Sequence, residues 1–167
     1  MERLTKQSGF TLIELLVYVG ILVVVSTASV GFLISLDDVI EQYQLETTLY
    51  RSSSNALEQI QVALRRADTF ETVGSVLNDG ATGALTVAID GDTTQFVRTG
   101  TTLELFIEGE SYGSVVDEGV VVDSFTVYRY PTAVGDMMRV ELVLSAATDG
   151  ASKSVTLYTG AVIRGGV

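Results

Sequence analysis

From Phe10 to Leu36 the chain is apolar at almost every position, and one carboxylate, Glu14, sits inside the run. At 1.5 Å per residue a helix over that stretch is about 40 Å long, against about 30 Å for the hydrocarbon core of a bilayer, so it spans with tilt or with one end protruding. A short polar head with Arg3 and Lys6 precedes it. The pattern then changes without a break. No Pro or Gly falls between Leu33 and Asp68, and Val39, Tyr43, Tyr50, Leu57, Ile60, Leu64 and Ala67 recur at steps that suit one helix face, interrupted at Glu46 and Ser53. The spacing predicts an amphipathic continuation of the same helix over Asp37 to Asp68, its stripe packed on a sheet or another helix. Asp37 and Asp38 mark the exit from the bilayer, and Arg65 and Arg66 lie where cations suit the helix dipole.

Beyond Asp68 the period changes from helical to alternating. Thr69 to Gly83 reads as a loop with Asn78-Asp79-Gly80 as its turn. Leu85 to Ile89 and Thr94 to Arg98 flank Asp90-Gly91-Asp92 and predict a hairpin; Thr102 to Ile107 follows the Thr99-Gly100 turn. Glu108 to Gly119 is looser. Val120 to Tyr130, Met138 to Ala146 and Ser154 to Ile163 complete the strands, with Pro131 and Gly135, then Asp149-Gly150, between them. The fold class is therefore α+β: a long N-terminal helix, transmembrane then amphipathic, packed on a C-terminal antiparallel β-sheet spanning residues 69–167.

Composition narrows the chemistry. There is no Cys, so no disulfide and no thiolate metal site, and no His, which removes serine–histidine and cysteine–histidine hydrolases. The net charge is −11, and the head of residues 1–9 carries +1, which leaves −12 for the rest. Such a body repels phosphates, so direct nucleic-acid binding is not expected. The basic head against the acidic body puts the N-terminus in the cytoplasm and the C-terminal part outside.

A carboxylate in a bilayer costs roughly 2.5–3.5 kcal/mol on insertion scales and persists where it has a partner or a task. Glu14 has no opposite charge in its own run, so its partner comes from elsewhere, and another copy of the helix is a candidate. Thr11, Glu14 and Tyr18 share a helix face, with Thr11 either bonding the Glu14 carboxylate or capping the first turn. Thr27, Gly31 and Ser35 recur every four residues, a spacing that lets helices approach closely.

Gly9 followed by Phe10-Thr11-Leu12-Ile13-Glu14-Leu15-Leu16-Val17 resembles the processing and assembly signature of type IV pilins and type II secretion pseudopilins. The resemblance covers Gly9 to about Val25 and is architectural beyond. It implies a leader of residues 1–9, cleavage by a prepilin peptidase after Gly9, N-methylation of Phe10, and a Glu14 that neutralises the terminal amine of a neighbouring subunit. Residues 10–36 would be the membrane and fibre-core half of the helix, and 37–68 the amphipathic half. The implied partners are other pilin or pseudopilin subunits, the peptidase, an assembly platform with its ATPase, and the lipid bilayer. Many pilins have proline where Gly31 stands, so their kink does not carry over. The second half is loosely similar to minor subunits such as the J-type pseudopilins, which suggests a minor component, and Glu14 suggests a place below the tip.

Competing readings remain at this point. Ser26-Thr27-Ala28-Ser29 mimics a secretory cleavage site. A single-pass anchor carrying an extracytoplasmic binding domain that never polymerises is the alternative function. Asp79, Asp90, Asp92, Asp117 and Glu118 offer oxygen ligands for calcium, as in some pseudopilins, although Asp-Gly pairs are ordinary turn formers. Glu104, Glu108 and Glu110 read as solvent-facing acids rather than a glycosidase pair, since no Trp supplies a sugar platform. No enzyme activity and no cofactor are expected.

Overall fold

A helix, α1, runs from Leu12 to Arg66 in a computed structural model that describes residues 11–133, 135–148 and 151–163, with Asp38 described by its backbone alone. Among the described residues eight strands follow: β1 (Thr69–Phe70), β2 (Ala84–Ile89), β3 (Asp92–Thr99), β4 (Thr102–Ile107), β5 (Glu110–Ser114), β6 (Val120–Thr132), β7 (Gly135–Ala147) and β8 (Ser152–Ile163). They form two antiparallel sheets rather than the expected one: sheet A in the order β1-β2-β3-β4-β5 and sheet B in the order β6-β7-β8. The chain divides into two compact units, Met1–Glu41 and Gln42–Val167.

In the first unit the helix is exposed along its whole apolar length. Leu12 is 83% exposed, Leu22 65% and Phe32 64%. In the second unit α1 buries Leu45, Leu49, Ala56, Ile60 and Leu64 in one core with Leu85, Phe96 and Leu103 of sheet A and Phe125, Leu142 and Leu144 of sheet B. Each fully buried side chain of that size contributes roughly 1.5–3 kcal/mol. The expected stripe is correct at Ile60 and Leu64 but not at Val39, Tyr43 and Tyr50, which are exposed. The reason lies in two serines. Ser52 and Ser53 are buried, because the Ser52 hydroxyl accepts from the Asp117 N–H at 2.8 Å and the Ser53 hydroxyl donates to the Tyr50 carbonyl at 2.8 Å. Once satisfied, small hydroxyls cost little to bury, so the buried face runs through Leu45, Leu49, Ser52, Ser53 and Ala56. Glu46 lies beside that face and pairs with Lys153 of β8.

Sheet A is built from tight hairpins. Asp90 and Gly91 both have positive φ, 55° and 92°, in the two-residue turn between β2 and β3, the geometry that matches strand twist. Glu108 and Gly109, at 54° and 82°, repeat it between β4 and β5. β5 lies in the segment expected to be irregular, and β1 lies in the expected loop. Both lack an apolar alternation because both are short edges; β5 is exposed at all five positions.

The two sheets meet along one edge of β6. Val122 N–H donates to the Thr101 carbonyl at 2.8 Å, Phe125 N–H to Gly80 at 3.0 Å, and Asn78 N–H to Val127 at 3.0 Å. Arg98 reaches across from β3 and donates to the carbonyls of Val122 and Ala81. The loop after β1 therefore satisfies backbone that would otherwise be an open edge.

Candidate assembly segment and the acids of the body

Thr11 is the N-cap of α1. Its hydroxyl accepts from the Glu14 N–H at 3.3 Å, and its carbonyl accepts from the Leu15 N–H at 3.2 Å. Of the two roles open to Thr11, the structure shows the cap; the bond is to the Glu14 backbone and leaves the carboxylate available. A carboxylate in the first turn also sits at the positive end of the helix dipole. Gly9 and Phe10, the residues expected to be cut and methylated, lie outside the described residues, as does the leader 1–9.

Thr27, Gly31 and Ser35 fall within α1. The Thr27 hydroxyl donates to the Val23 carbonyl at 2.8 Å and Ser35 to the Gly31 carbonyl at 3.2 Å. Ser29 does the same to Val25 at 2.8 Å. Each hydroxyl is thus satisfied within the helix, as hydrocarbon demands, and needs no bond across an interface. A Cβ added at Gly31 would meet nothing within 4 Å, so that surface is open to a neighbour. Tyr18 shares a shallow notch with Leu15, Val19 and Leu22. The helix is long and apolar enough to cross a membrane.

The acids considered for calcium do not converge. Among the described residues no group of three or more carboxylates is placed to hold a metal ion. Asp90 pairs with Arg66 at 3.3 Å, and Asp117 pairs with Arg51 at 3.1 Å. Asp92 begins β3 after the Asp90-Gly91 turn, and Glu118 lies in the turn before β6. Glu108 accepts from the Thr93 N–H, Glu104 is on β4 and Glu110 opens β5.

Asp79 organises its own turn. It accepts from the Thr82 hydroxyl at 2.8 Å, the Ala81 N–H at 2.8 Å and the Thr82 N–H at 3.4 Å. The Thr82 hydroxyl bond, then the Ala81 N–H, hold its pKa below the usual carboxylate range. A depressed folded-state pKa stabilises above the ordinary value and is lost as pH falls through the folded one. The full chain in detergent is therefore expected to lose stability below about pH 4. Asp79→Asn should flatten that acid limb in a thermal melt taken against pH; an unchanged limb would assign it to other acids. At the other end of the scale, the Glu46 carboxylate raises the Lys153 pKa by its hydrogen bond and its charge.

A groove of about 580 Å³ in the second unit is lined by Glu58, Val62 and Arg66 of α1 and by Asp92, Phe96 and Leu105 of sheet A. Its lining mixes apolar side chains with charged ones.

Residues 4–30 match the prokaryotic N-terminal methylation motif. That motif marks type IV pilin-like proteins, and the long N-terminal helix followed by antiparallel sheets fits that class. Proteins of the class are substrates of a prepilin peptidase and meet other pilin subunits. No curated protein and no solved structure matches the chain.

Proposed function

We propose that the chain is a structural subunit of a type IV pilus-like or type II secretion pseudopilus filament. The observation that carries this reading is one segment: the methylation motif over residues 4–30 and, inside it, an exposed apolar helix that carries a carboxylate, Glu14, in the first turn. The precursor is cut after Gly9 and methylated on Phe10, with the body outside the cytoplasmic membrane. An assembly platform and its ATPase then move it into the fibre. There the surface from Leu12 to Leu36 exchanges lipid for neighbouring helices, and Glu14 meets the terminal amine of an adjacent subunit. Attraction between the two charges is far stronger in that dry core than in water. The chain takes a place below the tip and acts as no enzyme.

Fractionation separates this from a membrane-anchored binding domain. The chain is expected in the sheared filament fraction of cells with prepilin peptidase and only in membranes without it. Membrane location in both strains favours the anchored domain.

A further inference from the structure

The outer face of sheet B carries an exposed apolar row. Tyr130, Met137 and Val162 are cross-strand partners on β6, β7 and β8 and are 46%, 45% and 50% exposed. In the next row Tyr128 faces Arg139, and Arg139 faces Gly160. The Arg139 guanidinium lies 5.6 Å from the Tyr128 ring centre and 4.9 Å from that of Tyr158. Gly160 offers no side chain, and a shallow recess of about 460 Å³ opens between Arg139, Tyr158 and Val162. Rings that hold the planar cation leave its N–H edges for a carboxylate fork. The ion pair with Glu141, at 3.9 Å, is too long to use them fully.

Charge within the chain says what fits there. Residues 42–119 hold four basic and twelve acidic side chains, a net of −8, whereas residues 120–167 hold four of each and are neutral. Two copies meeting through 42–119 repel, but 42–119 of one on 120–167 of the next does not. The strands agree with this pairing. Among the described residues β8 pairs as a strand with β7 alone, and β5 with β4 alone, so each sheet ends in an edge of different character. β5 is wholly exposed and bears Glu110 and Tyr112, the latter 66% exposed. Among the described residues Glu110 is in no ion pair.

We infer that the Arg139 face and β8 edge of one copy receive the β5 edge of the next, with Glu110 on the Arg139 guanidinium. The contact joins unlike surfaces, so each copy keeps one of each kind for a further copy, and the contact propagates along an array wherever its rotation does not close a ring. It rests on the reading of the chain as a filament subunit. It makes like copies neighbours, against the minor placement suggested by the sequence.

The chain has no cysteine, so introduced ones report cleanly. Two tagged full-length copies are co-expressed in the native membrane, one with Thr156→Cys in β8 and one with Ser111→Cys in β5, and oxidised. The mixed disulfide should exceed the Thr156→Cys pair with itself by tenfold or more. Arg139→Glu in the first copy should lower it at least tenfold, and Glu110→Arg in the second should restore it, which a folding defect could not do. Dominant same-site disulfides, no cross-copy yield, crosslinks to a different chain alone, or indifference to charge reversal each overturn the docking. Leu16→Cys in α1 separates the two levels. Disulfides there with none between bodies defeat the docking alone; loss of both, with an empty sheared fraction, removes the filament reading beneath it.

Discussion

Glu14→Ala is expected to lower incorporation into sheared filaments by tenfold or more while leaving cleavage after Gly9 largely intact. Thr11 still caps α1 through the Glu14 N–H, a backbone contact that alanine keeps. The helix should therefore form and present its N-terminus to the peptidase as before. What disappears is the counter-charge that the proposed function assigns to a neighbour's amine. Removing one member of a buried ion pair costs about 3–5 kcal/mol, because the other charge is left in low dielectric. Such a cost corresponds to a factor above a hundred in an equilibrium constant, and tenfold allows for partial neutralisation by lipid or water. Quantitative immunoblots of sheared and membrane fractions read the effect. Normal incorporation of the alanine variant would remove the electrostatic account of assembly.

Gly83→Ala is expected to give the largest loss of body stability. An ideal Cβ at Gly83 would overlap the Phe125 carbonyl oxygen and lie 2.9 Å from that of Asp79. Both obstacles are backbone, so no rotamer change relieves them. The Gly83 carbonyl accepts from the Arg98 N–H at 3.0 Å, and the Phe125 N–H donates to Gly80 at 3.0 Å, so yielding would open the junction between sheets A and B. Overpacking ordinarily costs 1–3 kcal/mol, and a clash confined to backbone should exceed about 3 kcal/mol. Gly91→Ala is the control: its Cβ would meet nothing within 4 Å, so only its positive φ of 92° is strained. Thermal melts of the full chain in detergent should rank Gly83→Ala well below Gly91→Ala, and equal melting points would deny the junction its role.

These two sites were unequally legible in the sequence. Glu14 stands out because an acid in an apolar run has no local explanation. Gly83 carries no such mark: its constraint is a strand more than forty residues later in the chain, which no local pattern reveals. The same distinction runs through the fold. Asp90-Gly91 announces its hairpin because two successive positive φ angles favour such residues, and the long strands β6, β7 and β8 show their alternation. β5 does not, since a fully exposed edge needs no apolar face. The division into two sheets was also hidden, because it depends on where the loop after β1 crosses to β6. The amphipathic stripe misled at Tyr43 and Tyr50 for a related reason. Pattern reading treats large apolar residues as buried and serines as outside, whereas Ser52 and Ser53 are buried with their hydroxyls engaged. Within the assembly segment, the sequence left Thr11 between two roles, and helix geometry decides for the cap.

The central claim concerns processing, and the mature N-terminus tests it most directly. Intact mass and N-terminal peptide mass spectrometry on protein from its native membrane should find a chain beginning at N-methyl-Phe10. A chain still beginning at Met1, or one beginning just after Ser26 to Ser29, would contradict the account and leave Glu14 without its role.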